Sequence, residues 1–436
     1  MRPVVSRGAV VLATLFAVLP ALSPGDAGAM SLATALREVA ATNPTLASRR
    51  EMVEAARRRI APAGAWQSPM VEVGVLNVPT HGRFDMEPMT MKMIGVEQRV
   101  PVFGANRLSR RSASAAAEAE GAGLEGANVE LFAMTWEAYS DAYHAARLKE
   151  LSLAHRGEMD QLVRSARARY ASGNGRLEDV FRAEAEQART LSDVASFEAE
   201  ALGARARLAA LMGRPSALLA DSLEAPPATS MPDDPAPILA RVAAGHPRLR
   251  ELRAQVERYR LAARAARRMA WPDLQVAASY GIREPILGVP QDNMWSATLG
   301  FMLPVFAGQR EYSEGSEMDA MARASENELR AATLDLDQQA RSLHASARAA
   351  ERTVSLLADT VVTTGRRAVQ ASWSSYDAGS TDLWRVFEAT HALYGEEVAL
   401  LRARQDLARN AARLLAITAS GDLFGLTLPE MQRSKP

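Results

Sequence analysis

The sequence predicts a mostly α-helical chain with a small β part of the kind that crosses a membrane as a barrel. It is built by duplication of one helix–strand–strand–long helix–helix unit. Three observations predict this. The octamers VPVFGANR (Val100–Arg107) and LPVFAGQR (Leu303–Arg310) recur about 200 positions apart. Heptad-like apolar runs extend farther than any compact domain accommodates. Four short segments alternate apolar residues with small or polar ones.

Composition agrees with long helices. Hydrophobic residues make up 48% of the 436 positions but aromatics only 6%, so much of the apolar content is alanine, which suits closely packed helices better than thick cores. Formal charge is zero, so no strong field favours nucleic acid as a partner. Lys92, Lys149 and Lys435 are the only lysines, and none stands in a phosphate-loop context. The absence of cysteine excludes disulfides, thiolate metal sites, cysteine nucleophiles and a lipid-modified N-terminal cysteine.

Residues 1–29 read as an export signal: Arg2 and Arg7 precede the apolar stretch Gly8–Leu22, and Ala27–Ala29 supplies a small-x-small cleavage pattern. An N-terminal membrane anchor fits the same residues, although Pro20 interrupts the run.

Four landmarks carry the duplication. Asn43-Pro44 and His246-Pro247 are offset by 203 residues, Trp66 and Trp271 by 205, and Pro101-Val102-Phe103 and Pro304-Val305-Phe306 again by 203. YASGNGRLEDVF (Tyr170–Phe181) and YDAGSTDLWRVF (Tyr376–Phe387) follow at 206. The predicted organisation is a first repeat over 30–213, a Pro-rich linker over 214–236, a second repeat over 237–421 and a tail over 422–436. Strands are expected at about 67–78, 90–101, 272–283 and 294–304.

Within those strands, Leu274, Val276, Ala278, Tyr280 and Ile282 share one face, as do Trp295, Ala297, Leu299, Phe301 and Leu303. Val71, Val73 and Val75 alternate with Glu72 and Gly74. About ten tilted residues cross an outer-membrane hydrocarbon layer, but four strands cannot close a barrel, so a membrane barrel would have to be shared between chains. Long helices are expected over Asn106–Ala171 and Arg310–Tyr376, each about 100 Å at 1.5 Å per residue. Leu336, Ala340, Leu343, Ala347, Ala350, Val354, Leu357 and Val361 form a heptad seam in the second. A return helix over Arg176–Met212 and an opening helix over Leu32–Ala61 together match one long helix, as if two short helices stack beside it.

With these features in place, the mature chain resembles the outer-membrane efflux protein family, the TolC-like channels. The Pro-Val-Phe junctions and the segment Tyr376–Gly421 carry the resemblance most specifically. It implies a homotrimer whose chains contribute four strands each to a 12-stranded β-barrel, continued by a 12-helix periplasmic α-barrel. It further implies an outer-membrane exit duct of a tripartite system, partnered by outer-membrane lipid, a periplasmic adaptor (membrane fusion) protein and an inner-membrane pump of the resistance-nodulation-division type. A non-pore periplasmic coiled-coil scaffold is the alternative. It explains the heptads but not the paired alternating strands.

No catalytic motif is present, and neither enzyme activity nor a cofactor is expected. The histidines (81, 144, 155, 246, 344 and 391) lack ligand spacing and are expected mostly on solvated helix faces. The resemblance assigns adaptor contact to two hairpin tips, Ser172-Gly173-Asn174 and Ala378-Gly379-Ser380. It places Asp179, Tyr376, Arg385 and Glu388 at a gate, where Arg385 and Glu388 could equally be a surface pair at i, i+3. His81, Met86, Met89, Met91 and Met93 crowd the first strand hairpin. Thioethers suit a soft metal such as Cu(I), and the stretch resembles the heavy-metal branch of the family, while methionine also fills strand edges.

Overall fold

The computed structural model describes residues 29–419 apart from 81, 83–86, 217–218, 220–221, 228–230 and 287. The expected metal candidates His81 and Met86, the export signal and the tail lie outside the described residues. Helices α1 (Leu32–Thr42), α2 (Pro44–Arg58) and α3 (Ile60–Gly64) lead into strands β1 (Met70–Leu76) and β2 (Met91–Val100). Then come α4 (Ala105–Ala171) and the return helix α5 (Leu177–Leu211). The same order follows with α6 (Ala236–Gly245), α7 (Pro247–Met269), β3 (Asp273–Arg283), β4 (Met294–Met302), α8 (Glu311–Leu356), α9 (Val362–Asp377) and α10 (Leu383–Thr418). Among the described residues no helix is long and apolar enough to cross a membrane.

The opening helix expected over Leu32–Ala61 is broken, and the break has a chemical cause. Pro44 lacks an N–H, and Asn43 before it is extended (φ −67°, ψ 122°). The Asn43 side chain accepts from the Thr45 N–H (2.9 Å) and donates to the Leu211 carbonyl (2.9 Å), while Thr42 Oγ1 donates to the Met212 carbonyl (2.9 Å). One asparagine thus caps the start of α2 and the end of α5, so α2 and α5 meet end to end beside α4 and α1 turns aside. His246 repeats the device before Pro247: its Nδ1 accepts from the Arg248 N–H (3.1 Å), and its ring donates to the Ala416 carbonyl near the end of α10.

The second long helix also departs from expectation. Gly104 adopts a left-handed conformation (φ 76°) and lets α4 begin at once after PVF. Its counterpart Ala307 does not, and a turn occupies Val305–Arg310 before α8 starts. The three extra residues of the second copy are absorbed there, so Ala105–Ala171 and Glu311–Asp377 each span 67 residues. The latter contains a π-helical turn, Leu357–Val361.

Two cores hold the helices. A central belt buries Phe132, Trp136 and Tyr139 of α4 against Leu36 of α1, Leu208 of α5 and Leu414 and Leu415 of α10. A tip core joins Met159, Leu162 and Val163 of α4 to Val180 of α5 and Val386 and Phe387 of α10. Each large side chain buried in them contributes about 1.5–3 kcal/mol. The heptad seam is buried at Leu336, Ala340 and Ala347 and half-buried from Ala350 to Val361. Between the cores, buried Asp141 accepts from Gln405 Nε2 and Arg409 Nε (both 2.9 Å), tying α4 to α10. Arg402 grips Glu200 with two bonds (2.5 and 2.6 Å), tying α10 to α5.

Candidate conduit and gate

The strands form one antiparallel sheet in the order β1-β2-β3-β4. Its register decides what each face presents. Val73, Ile94, Tyr280 and Trp295 stand side by side on one face, as do Val71, Val96, Ala278 and Ala297. That face is bare: Val73 is 79% exposed and Trp295 78%. The opposite face aligns Glu72, Gly95, Ser279 and Ser296 in one row and Glu97, Ala277 and Thr298 in another. Here Arg99 pairs with Asp273 (2.6 Å), and Gln275 donates to Glu97. A sheet with one uncovered apolar face and one polar face has the build of a barrel wall between lipid and water. Among the described residues, neither edge strand, β1 or β4, has a partner on its outer side.

At the far end the two helical hairpins reverse through matching turns. Gly173 (φ 77°) and Gly379 (φ 70°) supply the left-handed residue. The Asn174 N–H reaches back to the Arg169 carbonyl and the Ser380 N–H to the Ser375 carbonyl, 2.9 Å each, which closes the C-termini of α4 and α9 in the same way. Between the tips runs a groove of about 610 Å³ lined by Arg169, Asn174, Arg176, Asp179, Ser380 and Asp382. The structure therefore brings both candidate tips and Asp179 to one place. Tyr376 meets Arg169, whose guanidinium lies 4.9 Å from its ring centre. Arg385 and Glu388 stand 4.0 Å apart on the exposed face of α10, and Trp384 Nε1 donates to Glu388 (2.9 Å). Asp382 caps that helix by accepting from the Arg385 N–H (3.1 Å).

A family model described as outer membrane efflux protein matches residues 35–214 and again 238–420. The chain belongs to the outer membrane efflux protein family. Its place is the outer membrane, with the helices extending into the periplasm. Among relatives of this efflux protein, the outer membrane efflux protein BepC of Brucella suis is 24% identical over 305 residues, 67% of this chain. That stretch spans 64% of BepC's own length. The solved outer-membrane channel OprN superposes with a TM-score of 0.75 at 20% identity, covering 90% of each chain. The open-state MtrE channel of Neisseria gonorrhoeae gives 0.73 at 18% identity, covering 97% of this chain and 98% of its own.

The histidines of this efflux protein are not where the sequence reading put them. His144, His155 and His344 are buried rather than solvated. His144 Nδ1 bonds the Ser140 carbonyl (2.8 Å), His344 Nε2 the Pro232 carbonyl (2.7 Å), and His155 stacks on Tyr394 at 4.0 Å. Burial lowers the pKa of His144 and of His246 below 6.5. Among the described residues no three His, Cys, Asp or Glu side chains are grouped to hold a metal. Met91 and Met93 lie on the polar face, in register with Arg283 and Gly281, while Met89 is in the connecting turn. Arg169 and Arg182, the latter 5.3 Å from the Trp384 ring, escaped sequence reasoning. For Arg169 a signal was available, since it directly precedes the repeated tyrosine at 170.

Proposed function

We propose that this chain is the exit duct of a tripartite efflux system, a passive homotrimeric conduit. One observation carries the reading: a four-stranded sheet with two free edges, a bare apolar face and a polar face continues directly into helices of 67 residues. Three copies joined β4 to β1 make a 12-stranded barrel, a size that leaves an aqueous lumen. The helices beneath it form the tunnel wall. The groove between the hairpin tips, with residues 172–174 and 378–380, is the docking point for a periplasmic adaptor, which links the duct to an inner-membrane pump of the resistance-nodulation-division type. Asp179, Tyr376, Arg385 and Glu388 line the closing end, with Arg385 and Glu388 alternating in a ring that neutralises itself and selects cations weakly.

Soft metal ions such as copper are the cargo that the polar sheet face favours. Met93, Gly281 and Met294 align across three strands, and the Met91 side chain lies over Gly281; three thioethers gathered on the polar face support this reading.

Planar-bilayer conductance of the purified protein, with its mass measured in the same detergent, tests the duct. Discrete conductance steps from a particle of three chains are expected. A protein recovered from the soluble periplasm that never inserts would sink the proposal.

A further inference from the structure

Just beneath the sheet the chain is strongly basic. Between Phe103 and Glu118 the start of α4 carries Arg107, Arg110 and Arg111 and no acid. Between Glu257 and Asp273 α7 carries Arg258, Arg260, Arg264, Arg267 and Arg268 and again no acid, and the last three stand nearest the sheet. In each helix the three stand at i, i+3 and i+4, which puts them on one face as mutually repelling neighbours. All six are exposed. Arg267 is paired with Asp319, and among the described residues no carboxylate is within ion-pair distance of the other five.

The two triplets lie at one height. The rings of Phe103 and Trp271 touch (5.1 Å) at the top of the α4–α7 pair, and Ser112 Oγ donates to the Arg258 carbonyl (2.9 Å) lower down. At 1.5 Å per residue the six arginines fall about 5–12 Å below that ring contact. Trp66, Trp271 and Phe103 are exposed there, where the apolar sheet face ends, as aromatic residues are at the edge of a hydrocarbon layer. A headgroup layer is about 5–8 Å thick, so the arginines coincide with it and with its water boundary. They also hang beneath the central strands, since α4 continues from β2 and α7 leads into β3. Joining copies through the free edges β1 and β4 leaves this pair uncovered.

We propose that these six guanidiniums form a collar that binds the phosphodiester headgroups of anionic phospholipids, of the phosphatidylglycerol type, in the periplasmic leaflet. The proposal rests on the sheet being a membrane barrel wall. Guanidinium forks match phosphate oxygens two at a time, and like-charged triplets at headgroup depth, with five of the six arginines lacking a carboxylate partner among the described residues, are the arrangement such lipids neutralise. The collar would fix the height of the barrel in the bilayer, with the aromatic residues as its upper edge.

The test compares wild type with the quadruple variant Arg107→Gln, Arg111→Gln, Arg264→Gln, Arg268→Gln, both full length. Each is reconstituted in phosphatidylcholine alone or mixed with phosphatidylglycerol, and retained lipid is identified by native mass spectrometry. Each arginine near an anionic surface strengthens binding about fivefold. Wild type should therefore enrich phosphatidylglycerol roughly tenfold or more, and the variant should lose that enrichment, while both insert equally into pure phosphatidylcholine. The four Arg→Lys replacements, which keep the charge but not the fork, should retain only part of it. Inorganic phosphate in excess should not displace the lipid. If the quadruple variant fails to fold, the α4 pair and the α7 pair are replaced separately, each expected to halve the logarithm of the preference. No enrichment by wild type, or equal enrichment by the variant, overturns the collar. So does altered ion selectivity of the pore with lipid binding unchanged, which would assign these arginines to the lumen. Failure of both proteins to insert into any bilayer would instead defeat the barrel reading, and the collar with it.

Discussion

His246 offers a test of how the two helix columns are joined. The ring makes two bonds, accepting from the Arg248 N–H at the start of α7 and bonding the Ala416 carbonyl near the end of α10. His246→Ala removes the cap, worth about 1 kcal/mol, and leaves the carbonyl without its partner, worth about another 1 kcal/mol. With an unfolding entropy near 2.1 cal/mol/K per residue over roughly 400 residues, a loss of about 2 kcal/mol lowers the melting midpoint by about 2 °C. His246→Asn should cost little, because Asn43 makes the same two bonds at the matching place.

The pH dependence separates these variants further. Burial holds the folded pKa of His246 below its ordinary 6.5. The unfolded chain therefore binds more protons below pH 6.5, and the ring's contribution is complete above that value and lost as pH falls beneath it. The slope has a ceiling of about 1.4 kcal/mol per pH unit, reduced here because the ring is only half buried. Circular dichroism melts at 222 nm between pH 7.5 and 5.5 should show wild type losing stability on acidification and His246→Asn losing less. The buried His144, shifted in the same direction, sets what remains. If His246→Ala melts like wild type at pH 7.5, or His246→Asn is as acid-sensitive as wild type, the junction does not work as described.

Three other outcomes follow from the same geometry. Val73→Arg, on the bare sheet face, should cost about 2–4 kcal/mol in a membrane and prevent insertion, whereas Ser279→Arg on the polar face should insert normally; heat-modifiable migration on gels reads both. Asp141→Ala strands Arg409 and Gln405 between the cores and should destabilise the chain by about 3 kcal/mol, seen as a lower urea midpoint, while Asp141→Asn keeps one acceptor and costs less. Glu388→Ala frees Trp384 and Arg385 at the proposed closing end and should raise single-channel conductance, and an unchanged conductance would remove Glu388 from the gate.

Much of this was legible locally. Asn43-Pro44 and His246-Pro247 were legible as matching landmarks of the two repeats, but the break each proline imposes on its predecessor was not drawn from them, and the opening helix was expected to run through. The Gly173 and Gly379 turns were readable because a left-handed residue must close each helix. What escaped depended on neighbours far away in the chain. Nothing near Asn43 says that its amide will meet Leu211, so the reading ran α1 and α2 together as one column. Nothing near His144, His155 or His344 says that another helix will cover them. The later start of α8 was hidden in one substitution, Ala307 where the first copy has Gly104.

Two-residue and seven-residue periodicities are properties of the backbone's own geometry, so the sequence alone determined which side chains share a strand face and which share a helix seam. It determined the polarity of each side of the sheet for the same reason. Only the tertiary structure decided that β2 pairs with β3, which brings Arg99 to Asp273 and sets Met93 in line with Met294. It alone set the arginines of α4 and α7 at one height, and Asp141 against Arg409. Those contacts join positions more than 150 residues apart, and their energy depends on packing that no local pattern encodes.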